Sequence, residues 1–265
     1  MPEGDNHRAK YLYCVIPCGG ERRFPAAPAV DGGPVHTVVF QDLACVVSDS
    51  PDMRYDCTRA NLVAHARVIE QVMREGFPVL PVRFNTVTRR GSAEPAEDIR
   101  RRLLEGRSPE FHRLLQELGP RVELGLKAFW RDPRAILEEI ASGNKEIRGL
   151  RDSLLPLMGR PPAATHFQRA RLGEAVKAAL DRQRGQEARG VLSRLRPWAW
   201  QVRENPVLGD RVVLNAAFLV GREQEAAFDG LVGQLEEELG ARMALKYSGP
   251  HPPFNFCEVV VAWEG

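Results

Sequence analysis

The sequence predicts an α+β protein of two domains, the second carrying a helical middle section. Three observations predict it. β-rich runs with period-two alternation crowd both ends of the chain, apolar residues recur at helical spacing between them, and residues 134–196 show helical periodicity on either side of one break. A chain of 265 residues with 43% hydrophobic content has the length and the core material for two ordinary domains.

Residues 11–16 alternate around β-favouring side chains and then meet Pro17 and a Gly/Pro-rich stretch through Pro34, which predicts a strand followed by a long surface loop. Residues 35–40 and 43–48 are β-rich runs separated only by Gln41-Asp42, the spacing of a hairpin. Between Thr58 and Glu75, Leu62, Ala66, Ile69, Val72 and Met73 recur at helical intervals, and Gly76 follows where a helix stops. Residues 77–87 read as an extended segment that Pro78 and Pro81 confine to an edge or irregular strand, because proline cannot donate to a ladder. One amphipathic helix is predicted over residues 96–118 and a strand over 121–130. Strand, hairpin, helix, strand, helix, strand is the order of a rearranged ferredoxin-like sandwich. The boundary falls near Arg131-Asp132-Pro133, giving domains 1–130 and 131–265.

In the middle section Ile136, Leu137 and Ile140, then Leu172, Val176 and Leu180, fall at helical intervals on either side of a break at Gly159-Arg160-Pro161-Pro162. Residues 134–196 hold 13 Lys/Arg against 7 Asp/Glu, so the positive excess of the chain lies along these helices. A solvated helix face is one reading of that excess, and a docking face for an acidic partner is the other. Beyond Pro197, strands are predicted at 198–203, 211–220, 242–247 and 256–263. A helix at 223–239 sets Phe228, Leu231, Val232 and Leu235 on one side and ends at Gly240.

A formal net charge of +2 falls far short of the basic excess of a nucleic-acid binder. The longest predominantly apolar run, residues 212–220 with Asn215 inside it, is about half the ~20 residues a membrane-spanning helix needs. The run from Tyr11 to Pro17 is too brief for an export signal. The five cysteines are odd in number and widely spread, which fits a reducing cytoplasm better than a disulfide framework. Cys14 shares parity with Leu12 and Ile16, Cys45 with Leu43 and Val47, and Cys257 with Val259 and Val261, as small core residues do. Cys14 and Cys18, with His7, make only a partial metal spacing.

Glycine-rich phosphate loops, His-Glu-x-x-His and Gly-x-Ser-x-Gly are all missing from the sequence. His65 falls on an apolar helix face, where an imidazole tied to the sheet by a hydrogen bond is the expected role. Glu236, Glu237 and Glu238 occupy consecutive helix positions, diverge, and are expected to be solvated. No catalytic, cofactor-binding or metal-binding residue is assigned, and the protein is expected not to be an enzyme.

Two stretches are more distinctive. The first is Phe77-Pro78-Val79-Leu80-Pro81-Val82-Arg83-Phe84-Asn85-Thr86-Val87 and the second is Ser248-Gly249-Pro250-His251-Pro252-Pro253-Phe254-Asn255-Phe256. Leu62-Val63-Ala64-His65 precedes the first, and Leu214-Asn215-Ala216-Ala217-Phe218-Leu219-Val220 precedes the second. Together they resemble the gas vesicle GvpF/GvpL family, with the likeness running from Tyr11 to Val261. That family shows Leu-Pro-hydrophobic-Arg-Phe-Gly-Thr and Gly-Pro-Trp-Pro-Pro-Tyr. This sequence departs from it with Asn85 for the glycine, His251 for the tryptophan and Phe254 for the tyrosine. Asparagine tolerates a left-handed backbone, so the turn at 85 is expected to survive.

The resemblance implies two α+β domains, the first a modified ferredoxin-like fold, and a cytoplasmic protein associated with gas vesicles. It implies an accessory role in vesicle assembly or a minor place in the wall, with the hydrophobic major shell protein and other accessory proteins as partners, and no cofactor. The partner-binding candidates are Pro81, Arg83, Phe84, Gly249, Pro250, Pro252, Pro253 and Phe254. Three prolines preorder the second stretch for docking, while the same residues also suit a crossing of the sandwich edge with Phe254 as a core plug. Arg83 equally suits a buried carboxylate of its own domain. The rival class is a ligand-sensing or regulatory ferredoxin-like protein, since such folds host unrelated functions.

Overall fold

Six consecutive apolar residues from Tyr11 to Ile16 cannot share one face of a strand, so a strand made of them needs cover on both sides. In the computed structural model, which describes residues 9–89, 92–157, 159 and 161–263, this is the outcome. Strand β1 (Ala9–Pro17) lies inside a sheet of order β2-β3-β1-β4, with β2 at Val35–Phe40, β3 at Leu43–Ser50 and β4 at Leu80–Pro81. All six apolar residues of β1 are fully buried. β1 runs antiparallel to β3 and to β4, and β2 and β3 form the expected hairpin, closed by Gln41 at φ 53°.

Tyr13 is an extra residue in β1, because the register with β3 shifts between Leu12 and Cys14. Such a bulge reverses which side chains share a face. Tyr11, Tyr13, Cys14 and Ile16 therefore join one core cluster with Val68, Ile69 and Val72, and Leu12 does not. The parity that grouped Cys14 with Leu12 fails for that reason.

Helix α1 (Arg59–Arg74) starts at Thr58, whose side chain accepts the Asn61 N–H, and ends before Gly76 at φ 93°. Its buried face is His65, Val68, Ile69 and Val72, rotated from the predicted one, so that Leu62 is exposed. The stretch after β1 is not the surface loop its composition suggests. Phe24, Ala27 and Ala29 are buried in the same cluster, and the Val30 N–H donates to the Tyr13 hydroxyl at 3.0 Å.

The single helix expected at 96–118 is broken. A short α2 (Pro95–Asp98) runs into a π-helical turn at Ile99–Glu105, and α3 (Ser108–Leu118) begins afresh. Pro109, within the first turn of α3, has no N–H to continue a helix through that point. The extended segment at 77–87 also contracts, to the two residues of β4 at the sheet edge, followed by a turn with Asn85 at φ 65°.

By their contacts the described residues form two units, one from Met1–Glu123 and Gly249–Gly265 and one from Leu124–Ser248. The chain leaves the first within β5 (Arg121–Trp130) and re-enters it within β8 (Met243–His251). This differs from a single break near Arg131. The cause is the carboxy-terminal stretch: the strand expected at 256–263 does not form among the described residues, and Val259 instead makes a parallel bridge to Val82.

The second unit contains a sheet of order β6-β7-β5-β8, with β6 at Gln201–Glu204 and β7 at Val212–Gly221. Its helices are α4 (Pro133–Gly143), α5 (Lys145–Leu154), the 34-residue α6 (Pro162–Leu195) and α7 (Glu225–Leu239). The expected break at 159–162 is present, with Pro162 opening α6, though Arg160 lies outside the described residues. Phe228 and Val232 of α7 are buried, and Phe228 packs on Phe218 at 5.2 Å between ring centroids. Glu236, Glu237 and Glu238 are exposed as expected, and Glu238 pairs with Arg194.

None of the five cysteines is paired. Cys14 and Cys45 are wholly buried, and burial pushes both thiols up. Thiol titration of the unfolded, unreduced chain is expected to count five. The folded chain should expose one fast-reacting thiol, Cys57. A count below five would reveal a disulfide and contradict this arrangement.

Candidate partner-binding surface

The first motif is organised by His65. Its Nε2 lies 3.1 Å from the Val82 carbonyl and its Nδ1 3.1 Å from the Tyr11 hydroxyl. The Tyr11 hydroxyl accepts the Asn85 N–H at 3.0 Å, so its own proton points at Nδ1. The imidazole is thereby neutral, with its proton on Nε2 donated to Val82. Burial pushes its pKa down to about 4, against the hydrogen bond to Val82. The ring stacks on Tyr13 at 5.6 Å and meets Phe84 edge-on at 5.7 Å. Both nitrogens are engaged, so this histidine is a clamp between helix and sheet and has no lone pair to offer as a base. Asn85 completes the turn by accepting the Tyr55 N–H on Oδ1 at 2.7 Å. An asparagine side chain thus supplies a bond that the glycine of the family motif lacks.

The first motif meets, within the first unit, the residues that follow the second motif in the chain. The Val259 N–H donates to the Pro81 carbonyl at 2.7 Å and the Arg83 N–H donates to the Val259 carbonyl at 3.0 Å. The Arg83 guanidinium holds Glu258 Oε2 through Nη2 at 2.7 Å and Nε at 3.0 Å. Both side chains are about half exposed, so Arg83 pairs at the surface and not with a buried carboxylate. Pro81 is buried and Phe84 half-buried.

The second motif begins in the last residues of β8, where Gly249 takes φ 138°, a value open to glycine and strained for other residues, before a cis bond to Pro250. Gly249 and Pro250 are exposed, Pro252 and Pro253 are buried, and Phe254 is 36% exposed. Asn255 anchors the loop by donating its backbone N–H to Glu123 Oε2 at 2.7 Å and its side-chain amide to Oε1 at 2.6 Å. Glu123 is only 4% exposed. The loop therefore rests on two buried prolines and a buried carboxylate and carries an aromatic ring at its surface. Phe254 is not a fully enclosed core plug.

Glu123, Asn255 and Glu258 are site residues that sequence reasoning missed. Glu123 carried a signal, since a carboxylate between Val122 and Leu124 in an apolar strand run must find a buried donor. Glu258 carried none, because its partner lies 175 residues away. Among the described residues no group of three His, Cys, Asp or Glu could hold a metal ion, and no helix is long and apolar enough to cross a membrane. His7, the third member of the partial metal spacing, lies outside the described residues.

The chain is thus an α+β protein in which each of the two sequence motifs is braced by buried polar groups, the first by His65 and the second by Glu123. The sequence model of the family described as "Gas vesicle synthesis protein GvpL/GvpF" matches residues 9–258, and the chain belongs to this family. A Streptomyces sp. protein named "Gas vesicle protein F" is 31% identical, over 88% of this chain and 94% of its own length. A "Gas vesicle protein L" from Streptomyces sp. is 32% identical, over 95% and 94%. The crystal structure of gas vesicle protein GvpF from Anabaena sp. matches the fold with a TM-score of 0.77 at 23% identity, covering 95% of this chain and 99% of that one.

Proposed function

We propose that this protein is an accessory protein of gas vesicle assembly, or a minor component of the vesicle wall, and that it binds the hydrophobic major shell protein in the cytoplasm. The observation that carries the binding role is the exposed Phe254 ring on a loop held by Pro252, Pro253 and the Asn255–Glu123 bonds. A preordered loop loses little entropy on docking, and an aromatic ring is an effective anchor once desolvated. Arg83, bonded to Glu258 and Val259, and the exposed Gly249 and Pro250 extend the proposed surface, with Phe84 half-buried and Pro81, which accepts the Val259 N–H, buried beneath it. A shell protein that is mostly apolar requires partners that hold it reversibly before it joins the wall.

Phe254→Ala is expected to cost about 1–3 kcal/mol of binding to the major shell protein, measured by pull-down and titration, with the melting temperature nearly unchanged. A large fall in melting temperature with binding intact would place Phe254 in the core and not at the interface. If wild type retains no shell protein and deletion of the chain leaves vesicle yield intact, the assembly role fails.

A further inference from the structure

We propose that the groove between α5 and α6 is a docking site for an amphipathic, acidic helix of a partner protein. The groove has a volume of about 330 Å³. Leu154, Leu155 and Leu157 from the end of α5 and the turn after it form one wall, and Leu172 of α6 belongs to the other. Leu155 is 56% exposed, and the other three leucines are only partly covered. Four leucines facing one channel between two helices form the kind of apolar strip into which a third helix lays its own apolar face.

The charges at the groove select the partner. Arg151 and Arg169 border it, and among the described residues no Asp or Glu lines it. Arg151 shares only the neighbouring, exposed Asp152 at 3.3 Å, and Arg169 makes no ion pair among the described residues. The surrounding section carries a surplus of six positive charges, from 13 Lys/Arg less 7 Asp/Glu over residues 134–196. A helix with leucine-sized side chains flanked by carboxylates satisfies both the apolar floor and the cationic rim. One bearing lysines meets repulsion at both arginines. This inference rests on the reading that the protein works by binding other proteins. It places a second contact on the second unit, independent of Phe254.

Fluorescein-labelled synthetic helices of about 18 residues, long enough for several turns, provide the probes. One carries a leucine stripe flanked by glutamates, one the same stripe flanked by lysines, and one the acidic composition scrambled so that no stripe forms. Fluorescence anisotropy is expected to show binding of the acidic amphipathic probe alone, weakening as salt rises. Arg151→Glu/Arg169→Glu should reduce its affinity by at least about tenfold, and Leu155→Ser by a similar factor, at unchanged melting temperature. Both arginines are exposed, so their reversal does not threaten folding. Failure of the acidic probe to bind, equal binding of the basic or scrambled probe, or undiminished affinity in the double variant overturns the proposal.

Vesicle yield separates this from the assembly role. If deletion of the chain abolishes vesicles and the double variant restores them fully, the groove is not used and the assembly role stands. If deletion changes nothing, the assembly role falls and the probe measurements decide the groove alone.

Discussion

His65→Leu is expected to lower stability by roughly 2–4 kcal/mol, because it strands two buried polar groups at once. The Tyr11 hydroxyl loses its acceptor and the Val82 carbonyl its donor, and both residues are almost wholly buried. Urea midpoints measured by circular dichroism would report the loss, and hydrogen exchange should locate it in β1 and α1.

The pH dependence gives a second readout of the same clamp. The folded state holds His65 neutral down to about pH 4, whereas the unfolded chain takes up a proton near 6.5. Between those values the unfolded state binds more protons, so wild-type stability falls as pH drops from about 6.5 to about 4. The full span corresponds to roughly 3 kcal/mol. The leucine variant should lack this slope. An unchanged acid slope would show that His65 is not the buried neutral group described, and unchanged stability would remove it from the core.

Glu187→Ala should cost the second unit a similar roughly 2–4 kcal/mol. Glu187 on α6 accepts from Trp130 Nε1 at 2.6 Å, from Gln183 at 2.7 Å and from the Arg242 guanidinium at 2.6 and 2.9 Å. Arg242 also reaches Glu139 on α4 at 2.9 Å, so Glu187, Arg242 and Glu139 link two helices to β5, the strand that Trp130 ends. Burial opposes ionisation of Glu187, but the bonds from Arg242, Gln183 and Trp130 outweigh it and hold its pKa below the ordinary value of 4.5. A depressed carboxylate contributes stability above its unfolded value and loses it as pH falls through the folded one. Wild type should therefore shed this contribution in acid below about pH 4.5, and Glu187→Gln should not. Combining Glu187→Ala with Arg242→Ala should cost clearly less than the sum of the two, since the second change removes the charge the first left unpaired. Strict additivity would mean that the pair does not interact.

Much of this architecture was legible from local pattern. The hairpin at β2 and β3, the α1 region with its stop at Gly76, and the separate helical character of residues 134–196 are short-range features, set by alternation, helical period and glycine within one or two turns of chain. The role of His65 was legible for the same reason, because a polar ring on an apolar helix face has to meet a hydrogen-bond partner in the sheet beneath it. The family was legible in the two motifs and is matched along residues 9–258. What escaped was everything that depends on a single residue of register or on distant chain. The bulge at Tyr13 exchanges the faces of β1, and an alternating pattern in an all-apolar strand cannot reveal it.

Sequence by itself thus determined the α+β class, the helical middle section, the left-handed turn at Asn85 and the residues worth inspecting. Only tertiary structure decided how they are used. It drew the carboxy-terminal stretch back to β4, paired Arg83 with Glu258, buried Glu123 beneath Asn255, and left Phe254 at the surface instead of in the core. The physical reason is range: propensity and periodicity act over a few residues, whereas each of these contacts joins segments more than 100 residues apart. Local sequence does not encode which distant segment supplies the partner, whether for a buried carboxylate such as Glu123 or for a surface guanidinium such as Arg83.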